Sequence, residues 1–316
     1  MLQRRRPSCR VILLLAGSLV WLTGCQRQAR DERPVIGLAV PSLTHPFFIY
    51  LKDNVLDEAR QLGVEVIAAD AEDVAARQMA VVEDFIARDV AGVLMSPIGA
   101  DALVPAVESL NAAGIPVATV DRQVNGGDVL VHVGADNVEG GRLAARYILE
   151  QLGGKGDIIQ LEGTPGASPA IDRKGGFEEA LGNSSARIVA SQPADFQRAK
   201  GQTVMENLLQ VHENFQAVYA ANDEMMLGAI EAMEARKIDA ARVVTVGYDA
   251  IPDAIRYVRE GRLDATVEQY PGQQARTALR LLVEYIREKK RPAAPHVFIK
   301  PVVIDARNID AAEQKR

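Results

Sequence analysis

The sequence contains very little cysteine and few aromatic residues. Cys9 and Cys25 are the two cysteines of the 316 residues, so none lies beyond residue 25. The chain after that point can therefore form neither a disulfide nor a cysteine metal site. Its four histidines are far apart and lack the spacing of metal ligands, and aromatic residues make up 5% of the chain. We expect no metal and no cofactor.

The signatures of several common enzyme classes are also missing. The chain has no G-x-x-x-x-G-K-[ST] loop, no H-E-x-x-H pair and no G-x-S-x-G elbow. The glycine-rich run 153–156 leads into a predicted strand rather than out of one, so we interpret it as a turn. The sequence thus favours a binding protein over an enzyme.

Charge argues against nucleic acid as a partner. The net charge is −6, and because residues 1–25 carry four arginines and no acid, the rest of the chain stands at −10. Affinity for nucleic acid comes largely from neutralising phosphates, which an acidic chain does poorly. The remaining length of about 290 residues is enough for a large core and usually divides into two lobes.

The first 25 residues have the pattern of a secretory signal. Four arginines precede the apolar run Val11–Leu22, which is too short to span a bilayer comfortably. The following Leu22-Thr23-Gly24-Cys25 resembles the lipobox of bacterial lipoproteins. We expect residues 1–25 to be a lipoprotein signal peptide, Cys25 the lipid attachment site and 26–33 a tether. The protein would be exported and anchored by lipid in the periplasm or cell envelope; an ordinary signal peptide or an uncleaved anchor is the alternative.

Apolar runs of strand length alternate with helical patterns along the rest of the chain. The predicted strands are 35–40, 64–69, 93–96, 117–120, 129–134, 157–163, 188–191, 217–220, 243–248, 265–268 and 297–304. The predicted helices are 46–62, 74–88, 103–113, 136–152, 170–181, 197–210, 224–235 and 271–288. This order predicts an α/β fold of two doubly wound, Rossmann-like parallel-sheet lobes joined by a hinge of several crossings.

We assign the lobes from where the pattern restarts. Residues 34–135 plus 270–297 would form the N-terminal lobe, and 136–269 plus 298–310 the C-terminal lobe. Residues 311–316 would be a tail, and we expect the polar end of the chain from Asp305 onward to fray.

The segment around the first predicted strand and helix is where we expect a ligand. Pro46 suits the first turn of a helix, which presents Phe47 and Phe48 just past the carboxyl end of a strand. Two adjacent rings at this place indicate an apolar wall for a small molecule. The alternative interpretation is that both rings belong to the core.

Other polar and aromatic residues also follow predicted strands closely. They are Asp121, Arg122, Arg173, Phe196, Asn222, Asp249 and Gln269. Each has an ordinary explanation, such as a helix cap for Asp249, a surface ion pair for Asp121 with Arg122, or a core position for Phe196. Together they favour one crevice for an uncharged ligand with many hydroxyls, because carboxylates accept from hydroxyls, guanidinium groups donate to them and rings cover C–H surfaces.

Several segments resemble the periplasmic pentose- and hexose-binding proteins of ABC transporters, which have the type I fold. The resemblance covers nearly the whole chain after the signal and rests on 46–48, 119–123, 136–137, 172–177, 191–196, 222–225, 247–249 and 265–269. The run SQPADF, followed by a helix that contains VMENLL, is typical of the ribose branch.

The resemblance implies a role for each candidate residue. Phe47 and Phe48 would line a sugar from the first lobe, with Phe196 closing on it from the second. Ring hydroxyls would be bound by Asp121, Arg122, Arg173, Asn222 and Asp249, with Gln269 at the hinge. Pro41 and His45 stand where the ribose pattern has serine and asparagine, so a related pentose, psicose, fructose, allose or the furanosyl signal autoinducer-2 are alternatives to ribose.

The implied function is capture of a neutral monosaccharide between two closing lobes by a monomer that delivers it to an ABC permease. A sensory protein that docks on a chemoreceptor or receptor kinase would use the same site. A sugar-acting enzyme and a sugar-responsive repressor are further alternatives. The repressor requires an N-terminal helix-turn-helix, and this chain has the secretion signal in its place.

Overall fold

A computed structural model describes residues 33–238 and 242–314 of the chain. The predicted signal peptide and Cys25 lie outside these residues. Among the described helices, none is both long and apolar enough to cross a membrane.

Two separate six-stranded sheets organise the described residues. In chain order the strands are β1 Val35–Val40, β2 Glu65–Asp70, β3 Gly92–Met95, β4 Val117–Val120, β5 Val131–Ala135, β6 Lys155–Glu162, β7 Ser185–Pro193, β8 Ala217–Ala220, β9 Val244–Tyr248, β10 Ala265–Glu268, β11 His296–Ile299 and β12 Val302–Asp305. The first sheet has the order β11-β5-β4-β3-β1-β2 and is parallel throughout. The second has the order β12-β10-β9-β8-β6-β7 and is parallel except at β12.

Helices cover both faces of each sheet. They are α1 Pro46–Leu62, α2 Ala75–Ala87, α3 Val104–Ala112, α4 Asn137–Leu152, α5 Ser168–Leu181, α6 Arg198–Leu208, α7 Asp223–Ala235, α8 Pro252–Glu260 and α9 Pro271–Glu288. In the first lobe α1 and α9 pack on one face and α2 and α3 on the other. In the second lobe α4 and α5 share one face, and α6, α7 and α8 the other. This is the predicted fold of two doubly wound lobes.

Local signals account for the first helix. His45 is its N-cap, and the ring atom Nδ1 lies 3.2 Å from the amide nitrogen of Phe47. Pro46 occupies the first turn, where its missing N–H costs nothing, and Gly63 ends the helix with φ 64°. The apolar stripe from Phe48 to Ala59 is buried against the first sheet, as its spacing predicts.

The chain passes between the lobes at three places, which we call the hinge: 136–137, 269–270 and 300–301. The third crossing corrects a prediction. Residues 297–304 were expected to form one strand, but β11 pairs in the first sheet and β12 in the second. Lys300 and Pro301 separate them, because proline lacks the N–H that a continuous ladder needs.

Two further elements differ from the predictions. The helix α8 was not expected, although Pro252 in its first turn and Gly261 at its end are ordinary helix signals. The end of the chain does not fray through Gln314: Ile309–Ala311 form a 3-10 helix, and Ala312 and Gln314 are buried. Residues 315–316 lie outside the described part.

Close contact between α4 and α5 depends on glycine. A Cβ built on Gly141 would lie 2.2 Å from the carbonyl oxygen of Arg173, and one on Gly176 would lie 2.0 Å from that of Val138. Both obstacles are backbone atoms, which cannot move aside cheaply. The neighbouring Gly175 has nothing within 4 Å of its virtual Cβ. The two helices thus approach closely along one specific stripe, and this approach sets the position of Arg173.

We therefore expect Gly176→Ala to lower the free energy of unfolding by about 3 kcal/mol, because overpacking forces the helices apart. The matched substitution Gly175→Ala, one residue away on the same helix, should instead be neutral or raise stability by about 0.5–1 kcal/mol through helix propensity. Equilibrium urea unfolding of both variants measures the difference. Equal stability of the two variants would contradict the packing argument.

Candidate ligand-binding site

A cavity lies between the lobes at the carboxyl ends of the strands. Its empty volume is about 260 Å3 when the part that opens to solvent is counted. All ten residues that the sequence and the resemblance single out for the ligand line it: His45, Phe47, Phe48, Asp121, Arg122, Arg173, Phe196, Asn222, Asp249 and Gln269. Pro169 lines it as well and was not predicted. Parallel strands explain the convergence, because their carboxyl ends all meet at one edge of each sheet.

Aromatic rings form two sides of the cavity. Phe47 and Phe48 pack edge to face with ring centroids 5.1 Å apart, and both rings are buried in the first-lobe core. Both rings therefore line the cavity and belong to the core at the same time. Phe196 faces them from the second lobe, and the Arg122 guanidinium lies between, 5.4 Å from the Phe48 ring and 5.3 Å from that of Phe196. Such contacts fix the guanidinium plane.

Two buried acid–base pairs lie among the residues that line the cavity. The Asp121 Oδ2 and Arg122 Nε atoms are 3.6 Å apart, and Asp249 Oδ1 lies 3.5 Å from Arg173 Nη1. These distances exceed those of ordinary N–H···O hydrogen bonds, so hydroxyl groups can take the remaining donor and acceptor positions. When both acids are ionised, the two pairs carry no net charge, which suits an uncharged polar ligand.

Burial raises the pKa values of the two acids of the cavity. It raises the pKa of Asp121, an effect that Arg122 and Arg173 partly offset. Burial also raises the pKa of Asp249 to about 7, against the opposing influence of Arg173. The Gln269 amide donates to Asp249 Oδ1 over 2.6 Å, and Ser96 donates to Asp121 Oδ2 over 3.1 Å. Each carboxylate is thus oriented by a neutral donor beside it.

Three residues of the cavity have a left-handed backbone although none is glycine. The φ angles are 64° at Asp121, 61° at Phe196 and 110° at Asp249. Each such conformation costs on the order of 1–3 kcal/mol, and such residues concentrate at functional sites. The amides of Asp121 and Asp249 are held by strand carbonyls at 2.9 Å and 2.8 Å. With this backbone both carboxylates line the cleft; the sequence had predicted their place there but not the left-handed conformation.

His45 and Asn222 meet across the cleft. His45 Nε2 lies 3.1 Å from Asn222 Nδ2, and the Oδ1 atom of the same asparagine caps α7 by accepting from the Met225 amide at 3.0 Å. Burial, followed by the charge of Arg122, lowers the pKa of His45 to about 4, so the imidazole is neutral. Asn222 is thus the N-cap of α7, and α8, whose N-cap residue is Ile251, receives no side-chain cap from Asp249.

Backbone contacts also join the lobes directly. The Ala100 amide donates to the Gly166 carbonyl over 2.9 Å, and the Gln123 amide donates to Ser168 Oγ over 2.8 Å. These residues follow β3, β4 and β6 and lie outside the hinge. The lobes are therefore closed on each other in this structure.

Two supporting residues were not assigned a role from sequence. Asn137 accepts from Arg173 Nε over 2.8 Å and from the Tyr248 hydroxyl over 3.3 Å, so it holds the guanidinium in place. Pro169 stands in the first turn of α5 just as Pro46 stands in that of α1. Both prolines begin a helix that follows a strand and a loop, and this shared pattern could have identified Pro169 as a lining residue.

Pro41 has a different place from the one the resemblance implied. It is buried and is not among the lining residues; its carbonyl accepts from the Asp73 amide over 2.7 Å. Of the two departures from the ribose pattern, His45 alone reaches the cavity. Across the described residues, no cluster of three or more histidine, cysteine or acidic side chains could hold a metal ion.

Comparison with known proteins finds periplasmic binding proteins similar to this chain over most of its length. Residues 36–290 match the family model of the periplasmic binding protein domain. The chain is 39% identical over 292 residues to the ribose import binding protein RbsB of Salmonella typhimurium, covering 92% of this chain and 97% of that protein.

Two solved structures are similar over most of the chain. The Caulobacter myo-inositol binding protein, solved with myo-inositol bound, has a TM-score of 0.86 and 33% identity and covers 90% of this chain and 98% of its own. The fructose-binding periplasmic domain of a hybrid two-component system has a TM-score of 0.82 and 29% identity, covering 88% and 93%. With its two doubly wound lobes and the cavity between them, the chain belongs to the type I periplasmic sugar-binding proteins.

Proposed function

We propose that this protein captures a neutral monosaccharide, ribose or a closely related pentose or ketose, and delivers it to the permease of an ABC importer. One observation carries the proposal: two buried acid–base pairs, whose charges balance when both acids are ionised, line one cavity together with phenylalanine rings from opposite lobes. Carboxylates and guanidinium groups match hydroxyls, and rings match the C–H faces of a sugar. The similarity to RbsB supports ribose as the first candidate.

Closure of the lobes is the proposed mechanism. The lining residues come from both lobes, so a ligand makes all its contacts only when the lobes are closed, and binding shifts the population toward that state. The permease would then recognise the closed shape. We further propose export to the cell envelope and lipid attachment at Cys25, on the basis of Leu22-Thr23-Gly24-Cys25.

A thermal-shift screen of the purified protein against pentoses, hexoses, ketoses and inositols tests the proposed ligand class. We expect a large increase in melting temperature for ribose or a related sugar and none for charged sugar acids or phosphates. No stabilisation by any neutral monosaccharide would contradict the proposal.

A sensory role is the second candidate, because one structural relative is the fructose-binding domain of a two-component system. The site would be the same and the partner would differ. Pull-down from membranes with the ligand-loaded protein separates the two: a permease supports import, whereas a receptor kinase or chemoreceptor supports sensing.

The contact between Gln123 and Ser168 gives a test of closure that leaves the lining residues intact. We expect Ser168→Ala to weaken sugar binding roughly threefold to tenfold, the net effect of one hydrogen bond, through faster dissociation. The association rate should stay unchanged, because the contact exists only after closure. Stopped-flow kinetics measure both rates.

The control for this substitution is Ser109→Ala, whose hydroxyl bonds within its own helix. It should change neither rate. A slower association of the Ser168→Ala variant with unchanged dissociation would contradict the assignment of the contact to the closed state.

A further inference from the structure

The C-terminal segment Ile309–Gln314, which we call the hinge strap, is anchored on the second lobe. After the 3-10 helix Ile309–Ala311, the Ala312 side chain is 2% exposed and packs in a cluster with Ala250, Ile255 and Ile304. The Gln314 side chain is buried and its Nε2 lies 3.4 Å from the backbone oxygen of Asp249, a residue of the cavity.

Glu313 joins this segment to the first lobe. Its carboxylate accepts from the Gly272 amide over 2.8 Å and from Arg276 Nη2 over 3.0 Å. Both partners belong to α9, which packs against the first sheet. Since Ala312 is held by the second lobe, the adjacent Glu313 connects the two lobes beside the second crossing of the hinge.

Glu268 completes the connection at the crossing itself. It is fully buried at the end of β10, and its two carboxylate oxygens accept from the amides of Tyr270, over 2.6 Å, and Glu313, over 2.7 Å. Tyr270 has φ 56°, a conformation that is costly for a residue other than glycine. The Glu268 carboxylate therefore bonds both to the strained turn at Tyr270 and to the hinge strap.

The turn carries a residue of the cavity. Gln269 lies between Glu268 and Tyr270, and its side chain donates to Asp249 Oδ1 over 2.6 Å. Its backbone oxygen accepts from Gln274 Nε2 over 2.7 Å, so the residue is fixed from the side of α9 as well. Any rotation of the turn would move the Gln269 amide away from Asp249.

We propose that Glu313 and Glu268 are positioning residues for ligand binding, in which the hinge strap holds the turn at Tyr270 so that Gln269 keeps Asp249 oriented in the closed cleft. Neither residue lines the cavity. The proposal rests on the proposed function for the ligand, but the conformation of the turn can be measured without one.

The test compares Glu313→Ala with Glu313→Gln in the otherwise complete chain, with D-ribose as the probe. We expect the dissociation constant to rise at least fivefold for the alanine variant. The glutamine variant should lie between that and wild type, because its amide oxygen still accepts from Gly272 but cannot pair with Arg276 as an ion. Amide hydrogen exchange at Tyr270 and Gly272 should be faster in the alanine variant without ligand.

The control is Glu284→Ala on α9, the helix that Glu313 contacts. This substitution removes the partly exposed carboxylate that pairs with Lys290. It should leave both the affinity and the exchange unchanged. A Glu313→Ala variant that melts at a lower temperature yet keeps the wild-type affinity and exchange would overturn the proposal, since its role would then be stability alone. If wild type binds no monosaccharide, the proposed function fails, and unchanged exchange at Tyr270 and Gly272 would still overturn the strap.

Discussion

The Asp121→Ala variant should lose the thermal stabilisation that a bound monosaccharide gives to wild type. Asp121 is 4% exposed, and its carboxylate faces Arg122 at 3.6 Å. Removal deletes a hydroxyl acceptor and leaves a buried guanidinium without its neighbouring anion. Breaking a buried pair costs about 3–5 kcal/mol, equivalent to a loss of affinity of about two to three and a half orders of magnitude.

The measurement is the melting temperature with and without millimolar sugar. The Asp121→Asn variant keeps the shape of the side chain and should retain a reduced stabilisation. Asp84→Ala, which removes an exposed carboxylate paired with Arg88 on α2, serves as the control and should respond to sugar like wild type. Circular dichroism checks that the Asp121 variants are folded; a full ligand response from a folded Asp121→Ala variant would show that the ligand binds elsewhere.

A second large effect should appear in the pH dependence of binding. In the closed cleft, burial and Arg122 lower the pKa of His45 from 6.5 to about 4. Closure must therefore release a proton from any His45 that is charged in the open form. The closed state is favoured fully above pH 6.5 and loses stability as pH falls toward 4, so at pH 5 this residue should weaken binding by up to about 30-fold, the limit reached if the whole shift arises on closure.

The hydrogen-bond contacts of His45 also predict weaker binding at low pH. The two ring nitrogens of His45 face the Phe47 amide and the Asn222 Nδ2 atom, and both of these are donors. A neutral imidazole has one acceptor nitrogen and a protonated imidazole has none, so protonation removes the one hydrogen bond that the His45 ring can accept. The charges of Arg122, Arg173 and Arg198 add to the cost.

Asp249 titrates with the opposite sign. Because burial raises its pKa to about 7, closure favours its protonated form, and this contribution to binding grows as pH falls. The decisive quantity is therefore the difference between wild type and His45→Asn, in which the Asp249 contribution is common to both. Asparagine is also a good N-cap, so α1 should be preserved.

Isothermal titration from pH 7.5 to pH 5 measures this difference. We expect the affinity of wild type to fall by up to about 30-fold more than that of His45→Asn over this range. Parallel pH profiles for the two proteins would contradict the role of His45. A changed sugar preference in the same variant would show in addition that His45 shapes the specificity of the site.

Much of the fold followed from local patterns. Short apolar runs marked the buried parallel strands, and proline and glycine marked the helix ends at Pro46 and Gly63. The candidate site was predictable for the same reason: residues just after parallel strands must share an edge. The helix α8 was missed although it carries the same punctuation at Pro252 and Gly261.

The sequence by itself thus determined the two sets of strands and helices, the lack of thiol chemistry after residue 25, and which side chains meet at the strand ends. Tertiary structure decided that residues 297–304 divide between two sheets, that His45 meets Asn222 across the cleft, and that Glu313 bonds to Glu268 at the hinge. Each of these depends on partners far away in the chain. Local propensity carries no information about such pairings, because their free energy arises only when the two lobes have formed and closed.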